Sequence, residues 1–311
     1  MLVPSYAELR PPVEDLPALE KVKELAHVAA YNLLVELNKR AEESNWKNNL
    51  QICTSESLTA GMILATLVDI PWGGYLKYGG FGVYDTDAKR VFNKVSVDDV
   101  YTHRCAKEMA VGILKNSNAT LAISVTGNAM PLNEHVDMLG EVFIGVAGYQ
   151  TDKDGTTKII YQTTSINACD NHIVEIQKTC KDWYDRIKIE KKWNPREKTA
   201  VLSQEIRYYT TCKALEFCLQ FVQANHPVVP QFVLDRKTKN NRINNTKSHS
   251  TIPENKFTED LPVENVGEPH NVVSPARSNT ALYSNLIESK LSPIPGAGGR
   301  RTRRIRKTRK H

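Results

Sequence analysis

Two nearly uninterrupted apolar runs constrain the fold of this chain most strongly. They lie at 119–125 and 142–147 and have the length of β-strands. Runs of this kind indicate strands that are covered on both faces of a sheet. A further strand at 158–163 follows a turn at 152–155, so the pattern predicts a hairpin at this point.

Helical periodicity surrounds these runs. Helices are predicted at 18–43, 57–69, 98–116 and 199–224. Shorter strands are predicted at 50–54 and 77–84. Asp85 is a good N-cap, so a short helix that contains Lys89 is expected to follow it. Alternating helices and strands predict an α/β fold in which helices flank a mixed β-sheet.

The composition divides the chain into an apolar body and a polar tail. Residues 18–225 carry nearly all the periodic apolar segments and form one predicted domain, after an N-terminal extension at 1–17. Residues 226–311 are rich in Asn, Ser, Pro and Lys, which predicts a disordered tail. An insertion at 166–198 has the spacing of one amphipathic helix, whose expected role is packing.

The net charge of +6 arises at the end of the tail. Eight of the twelve residues at 300–311 are Lys or Arg, and without them 33 basic residues face 35 acidic ones. A basic cluster of this density predicts contact with nucleic acid or another polyanion. A nuclear-localisation signal, a packaging segment and a solubilising tail are compatible with the same residues.

Cysteine usage and hydropathy predict where the protein works. The six cysteines form no C-x-x-C pair and no secretory leader precedes them, so free thiols in an intracellular compartment are expected. No apolar run approaches the ~18 residues that a membrane span needs, and no membrane contact is expected. The sequence leaves the oligomeric state open, a homo-oligomer included.

Two stretches about thirty residues apart carry the residue types of an amide-cleaving site. The first, 54–61, follows an apolar strand and opens a helix, which places Ser57 at a strand-to-helix turn. Backbone N–H groups are unpaired at such a turn, and a tetrahedral oxyanion needs them. The second, 80–89, supplies Tyr84 and Lys89 on either side of a capped turn, where both can converge on one hydroxyl.

Each of these residues also has an ordinary interpretation. Ser57 alone would be an N-cap, Tyr84 a strand tyrosine with a solvated hydroxyl, and Lys89 a surface charge. His135 and Asp137 are too few to indicate a metal site, so neither a metal nor another cofactor is expected.

The two stretches resemble the motifs of the CinA C-terminal domain family, whose stand-alone members are nicotinamide-mononucleotide deamidases. The T-A-E-S-C-T-G-G motif of that family is matched by Thr54, Glu56, Ser57, Thr59 and Gly61. Its Y-S-N-E-A-K motif is matched by Tyr84, Ala88 and Lys89, with no gap between the two motifs. Residues 124–127 are similar to the V-T-G turn of the family, and 205–207 to its final helix.

The resemblance implies a hydrolase that converts the carboxamide of a small nucleotide, nicotinamide mononucleotide, to the carboxylate and ammonia. It implies Ser57 as the nucleophile, Lys89 or Tyr84 as the base, and the backbone amides at 58–61 as donors to the oxyanion. The residues that it implies for substrate binding are Thr59, Ala60, Gly61, Thr126 and Gly127.

The chain departs from the family where the substrate phosphate is expected. The glycine-rich loop after V-T-G becomes Gly127-Asn128-Ala129-Met130-Pro131, and H-G-A-V-S is shortened to 103–106. The family's G-D-R before the last helix has no counterpart, and Arg196 is the substitute that we consider. These departures keep a second hypothesis open, a CinA-like scaffold that has lost the reaction and contacts polyanions through its tail.

Overall fold

The computed structural model describes residues 18–47, 49–129, 138, 140–168, 196–235 and 261–267. The helices of this part are α1 (Ala18–Glu43), α2 (Met62–Asp69), α3 (Thr86–Asn93), α4 (His103–Lys115) and α5 (Arg196–Asn225). The strands are β1 (Ile52–Glu56), β2 (Lys77–Gly82), β3 (Leu121–Gly127), β4 (Glu141–Thr151), β5 (Thr157–Asn167) and β6 (Val263–Asn265). A 3₁₀ turn at Gly74–Leu76 precedes β2, and a further helical turn lies at 231–235.

These strands form one mixed sheet in the order β2-β1-β3-β4-β5-β6. β1 runs parallel to β2 and β3, β4 is antiparallel to both of its neighbours, and β6 is parallel to β5. The predicted hairpin is present, because β4 and β5 pair across a turn closed by the Asp152 N–H and the Thr156 carbonyl, 2.9 Å apart. The α/β fold class predicted from the sequence is confirmed.

Two glycines of β4 show that helices cover both faces of this sheet. Side chains three residues apart on a strand point to opposite faces. A methyl group on Gly145 would lie 2.5 Å from the Ala106 carbonyl oxygen of α4. One on Gly148 would lie 3.4 Å from Phe221 of α5. α4 therefore packs on one face and α5 on the other, and α1 lies against α5 with Leu33, Leu34 and Leu37 fully buried.

Two helices begin later than the sequence predicts, for a local reason in each case. Residues 57–61 form turns instead of helix, because the Glu56 carboxylate accepts hydrogen bonds from the Ile63 and Leu64 amides in the first turn of α2. α4 begins at His103 because Thr102 is its N-cap, and the Thr102 hydroxyl accepts a bond of 3.1 Å from the Cys105 amide.

The predicted end of the domain at 225 is too early. Val229 and Val233 are buried in the core, and the Phe232 ring packs edge-on against Tyr149 with centroids 5.4 Å apart. β6 extends the sheet beyond β5, and Lys158 pairs with Glu264 at 2.6 Å. Pro227 and Pro230 suggested a tail, but the apolar residues between and after them fill the core.

Several other sequence predictions lie outside the described residues. These are the N-terminal extension at 1–17, the helix expected within the insertion and the basic cluster at 300–311. Of the insertion at 166–198, the structure describes the two flanks: β5 continues to Asn167, and α5 begins at Arg196. In the part of the chain that the structure describes, no helix has the length and apolar character needed to cross a membrane.

Candidate active site

One pocket collects side chains from both stretches that the sequence singles out. It encloses about 520 Å³ of empty space, part of which is open solvent. Four of the predicted site residues line it, namely Ser57, Tyr84, Lys89 and Gly127. The other lining residues are Leu58, Thr86, Val100, Tyr101, Asn128, Ala129 and Arg207.

The parallel part of the sheet explains this convergence. β1, β2 and β3 run in the same direction, and their carboxyl ends lie at Glu56, Gly82 and Gly127. Ser57 follows β1, and Tyr84 follows β2 after one further residue. Ligands of α/β proteins bind outside the carboxyl ends of such strands. The pocket therefore lies where the topology of the sheet favours a binding site.

Ser57 is held in place by its main chain. Its N–H donates to the Val125 carbonyl of β3 at 3.0 Å, and its own carbonyl accepts a bond of 3.1 Å from the Ala60 amide. The residue is only 6 % exposed, and this exposed part faces the pocket. A hydroxyl fixed in this way can be presented to a bound substrate without a large loss of conformational entropy.

Glu56 organises the turn after Ser57. Its buried carboxylate accepts three hydrogen bonds of 2.9 Å, from the Thr59 hydroxyl and from the Ile63 and Leu64 amides. These two amides are therefore occupied and unavailable to a ligand. Among the described residues, the Leu58 N–H group meets no acceptor, and Leu58 lines the pocket. Leu58 is thus the backbone donor best placed for an oxyanion.

Lys89 is buried and is not the surface charge that a lysine on a helix would ordinarily be. It is 1 % exposed, and its Nζ donates to the Tyr84 carbonyl oxygen at 2.8 Å. Burial lowers the pKa of Lys89 below its ordinary value, because desolvation penalises the charged form more than the charges of Cys105 and Asp85 favour it. A lysine in this state is a better proton acceptor near neutral pH than a solvated one.

Asn93 fixes the helix that carries Lys89. Its side-chain oxygen accepts a bond of 3.2 Å from the Ser55 hydroxyl of β1, and its amide nitrogen donates to the Met109 carbonyl of α4 at 3.1 Å. A methyl group on Gly112 of α4 would overlap the Asn93 carbonyl oxygen. The glycine thus permits the close approach of α3 and α4 that buries Lys89.

Tyr84 contributes in a different way from Lys89. Its side chain is 67 % exposed although it lines the pocket, and its main-chain carbonyl, not its phenol, is the partner of the Lys89 ammonium. The turn between the two residues is capped as predicted, because the Asp85 carboxylate accepts a bond of 2.7 Å from the Asp87 amide.

Four of the residues implied for substrate binding do not line the pocket, namely Thr59, Ala60, Gly61 and Thr126. Both threonines are fully buried. The Thr59 hydroxyl donates to Glu56, and the Thr126 hydroxyl donates to the Val100 carbonyl at 2.8 Å. These two side chains therefore shape the turns on which pocket residues lie. The His135 and Asp137 pair lies outside the described residues.

Arg207 and Tyr101 are among the pocket residues that sequence reasoning missed. Arg207 projects from α5, and its Nε is buried without a hydrogen-bond partner among the described residues. The similarity of 205–207 to the family's final helix was the available signal for it. Arg196, the substitute considered above, is the first residue of α5. Tyr101 lies in an irregular segment that carries no motif.

Comparison with known proteins identifies the class of this domain. The model of the CinA C-terminal domain family matches residues 34–173. Over this span the chain therefore matches the CinA C-terminal domain family.

Two CinA-like proteins illustrate the distance to relatives. The chain is 34% identical over 114 residues to one from Chlorobium limicola, covering 34% of this chain and 26% of the relative. It is 28% identical over 141 residues to one from Trichodesmium erythraeum, covering 43% of this chain and 33% of the relative. The chain thus spans no more than a third of these two relatives.

Solved structures of CinA proteins are also similar to this chain. A CinA superfamily protein from Klebsiella pneumoniae shares 20% identity at a TM-score of 0.39, covering 64% of this chain and 97% of that structure. A competence/damage-inducible protein from Agrobacterium tumefaciens shares 22% identity at a TM-score of 0.37, covering 63% and 92%.

Proposed function

We propose that the protein is a nicotinamide-nucleotide amidohydrolase in which Ser57 is the nucleophile. One observation carries the proposal, namely that Ser57, the buried Lys89 and Arg207 line the same pocket. A nucleophile, a proton acceptor and an anion-binding group are the parts that hydrolysis of a phosphorylated carboxamide needs. The resemblance of 54–61 and 80–89 to the motifs of the CinA C-terminal domain family favours the same substrate class.

The first half of the reaction forms an ester on Ser57. The Ser57 oxygen attacks the carboxamide carbon while its proton passes to the neutral amine of Lys89. The carbonyl oxygen becomes an oxyanion, and the Leu58 N–H group donates to it. When the C–N bond breaks, the Lys89 ammonium gives its proton to the leaving nitrogen, and ammonia departs.

The second half regenerates the enzyme. Water attacks the carbonyl carbon of the Ser57 ester, and Lys89 accepts a proton from it. The C–O bond to Ser57 breaks, and the same proton returns to the serine oxygen. The product is the carboxylic acid of the nucleotide, which loses its proton to solvent and leaves as the carboxylate. Every step uses residues of this chain and water alone.

Arg207 suits the phosphate of such a substrate. Its Nε is buried without a partner among the described residues, and an unpaired buried donor costs free energy until a ligand satisfies it. A guanidinium binds phosphate with two parallel hydrogen bonds, and its charge persists at every pH of interest. The family's G-D-R residues have no counterpart in this chain, and Arg207 thus binds the substrate phosphate in their place.

The experiment is to incubate the full chain with nicotinamide mononucleotide, nicotinamide riboside and free nicotinamide, and to measure ammonia together with the acid product. We expect equal amounts of ammonia and nicotinate mononucleotide, and a lower kcat/KM for the two compounds without phosphate. Arg207→Ala should raise KM for the mononucleotide and change the rate with the riboside little.

The opposing result is as informative. Binding of the mononucleotide with no ammonia from any of the three compounds would replace the enzyme by the second hypothesis, a CinA-like binding protein that has lost the reaction. Equal effects of Arg207→Ala on the mononucleotide and the riboside would remove the phosphate role of Arg207 while leaving the amidase intact.

A further inference from the structure

We propose that Tyr101 is a ring-stacking residue, which makes the pocket selective for a positively charged heteroaromatic ring. The proposal deepens the proposed function and rests on it, because it concerns the ring of the carboxamide substrate in the same pocket. Tyr101 belongs to none of the motifs that the chain shares with the CinA family, and it lies two residues before 103–106, the shortened counterpart of H-G-A-V-S.

The main chain holds Tyr101 in a fixed position. Its N–H donates to the Asp99 carboxylate at 2.9 Å, and the neighbouring Val100 carbonyl accepts a bond of 2.8 Å from the buried Thr126 hydroxyl. On the other side, the Thr102 hydroxyl donates to the Asp99 carbonyl at 3.2 Å and caps α4. A side chain on so constrained a segment loses little entropy when a ligand stacks on it.

The surroundings of the Tyr101 ring are suited to a cation. Tyr101 is half-buried and shares the pocket lining with the more exposed Tyr84. Burial raises the pKa of Tyr101 first, and the electrostatic influence of Tyr84 and Asp99 raises it further, so the Asp99 carboxylate lies within electrostatic reach of the Tyr101 hydroxyl. An aromatic face attracts a cation that lies over it, and a carboxylate nearby strengthens this attraction.

The cationic residues of the pocket do not cancel this preference. The Lys89 Nζ is buried and already donates to the Tyr84 carbonyl oxygen at 2.8 Å. Arg207 remains charged, and a phosphate on the ligand neutralises it. The ligand that fits both features is a zwitterion, with a positively charged pyridinium ring for the tyrosines and a phosphate for Arg207.

A matched pair of ligands tests the ring charge without changing the phosphate. The pair is nicotinamide mononucleotide and its reduced dihydro form, whose ring is neutral and no longer aromatic. Binding to the Ser57→Ala protein is measured by calorimetry, so that turnover does not interfere. We expect the oxidised form to bind more tightly by about 2-fold to 30-fold, the range of a cation–π contact.

Three variants in this Ser57→Ala background assign the preference to the ring of Tyr101. Tyr101→Phe keeps the aromatic face and should keep the preference. Tyr101→Leu keeps apolar volume without that face, and the preference should fall to about 1. Tyr78→Ala removes a partly exposed tyrosine of β2 that does not line the pocket, and it should change nothing. Circular dichroism checks that each variant is folded.

Three results would overturn the proposal. They are equal binding of the two nucleotides to the parent protein, an unchanged preference in Tyr101→Leu, and a loss in Tyr101→Phe as large as in Tyr101→Leu. Failure of the amidase proposal would be seen in a different measurement. The protein with Ser57 intact would release no ammonia, while the preference for binding the oxidised nucleotide would persist.

Discussion

At the scale of single residues, Lys89 is the costly member of the site. An ammonium group is rarely buried, because its transfer out of water is expensive. Lys89 is nevertheless 1 % exposed, and its Nζ donates a hydrogen bond to the backbone carbonyl of Tyr84. Side chains that weaken a fold in this way are often those that a reaction needs. The effect of Lys89 on the free energy of unfolding can be measured, and so can its effect on the catalytic rate.

Lys89→Met should stabilise the protein by about 0.5–2 kcal/mol near neutral pH, because it replaces a buried charge by an apolar chain of similar length. The gain has a defined pH dependence. The pKa of Lys89 is lowered on folding, so the wild type is stabilised as pH rises from that lowered value to 10.5, the ordinary value. The advantage of Met is therefore full below the lowered pKa and shrinks above it.

Denaturant unfolding over a range of pH measures this difference. Lys39→Met on the exposed face of α1 is the matched control, and it should show little effect at any pH. A gain in Lys89→Met that stays constant up to pH 11 would contradict a charged, desolvated Lys89 in the folded protein.

The two base candidates that the sequence leaves open differ in their surroundings. Lys89 is buried with a lowered pKa, whereas the Tyr84 side chain is mostly solvated. We expect Lys89→Ala to lower kcat on the order of 10²-fold to 10⁴-fold, the usual value of general-base help, and Tyr84→Phe to cost less. The rate of the wild type should rise with pH through an apparent pKa below 10.5, and Lys89→Ala should lose that limb. A larger loss in Tyr84→Phe would instead make the phenol the base.

At the scale of elements, the parallel strands position the site and the last segments complete the core. The carboxyl ends of β1, β2 and β3 bring Ser57, Tyr84 and Gly127 to one edge of the sheet. At the far edge, β6 covers β5, and a covered edge is protected from pairing with other chains. The segments at 226–235 and 261–267 are therefore structural parts of the domain.

A protein that ends at 225 should be less stable than one that ends at 267. It loses the buried Val229 and Val233, the contact of Phe232 with Tyr149, and the β6 strand. Burial of two valines and one aromatic side chain contributes about 3–6 kcal/mol. Thermal unfolding of the two truncated proteins measures this, and equal midpoints would restore the boundary at 225.

The elements that the sequence predicts well are those with strong local signals. α1 begins and ends where its apolar spacing predicts, and the Asp85 cap of α3 is present. The sequence could not show that Glu56 occupies the first amides of α2, because this depends on a turn in three dimensions. Arg207 and Tyr101 reach the pocket from segments distant in sequence from Ser57, so only the fold brings them together.

At the scale of the whole molecule, the charge is concentrated in the last residues of the chain. Eight of the twelve residues at 300–311 are basic, while the rest of the chain is close to neutral. We propose that this cluster binds polyanions without sequence specificity. Its affinity should fall steeply as the salt concentration rises, because the release of counterions on binding is then less favourable.

Removal of 300–311 should abolish retention on heparin at low salt and leave the thermal unfolding midpoint unchanged. Replacing the eight basic residues by Ser and Gln at constant length is the matched control, and it should behave like the truncation. Equal retention of the full and truncated proteins would assign the binding to another surface.

The central claim is that Ser57 is the nucleophile of an amidase, and one pair of serine variants tests it most directly. The measurement is ammonia release from nicotinamide mononucleotide at high concentration by the wild type, Ser57→Ala and Ser55→Ala. The Ser55 hydroxyl lies two residues away and bonds to Asn93 instead of lining the pocket. We predict that Ser57→Ala falls to the background rate while remaining folded. Ser55→Ala removes only the bond to Asn93 on the helix of Lys89, so its activity should stay well above background. Ammonia release by Ser57→Ala at the wild-type rate, or none by any of the three proteins, would contradict the account.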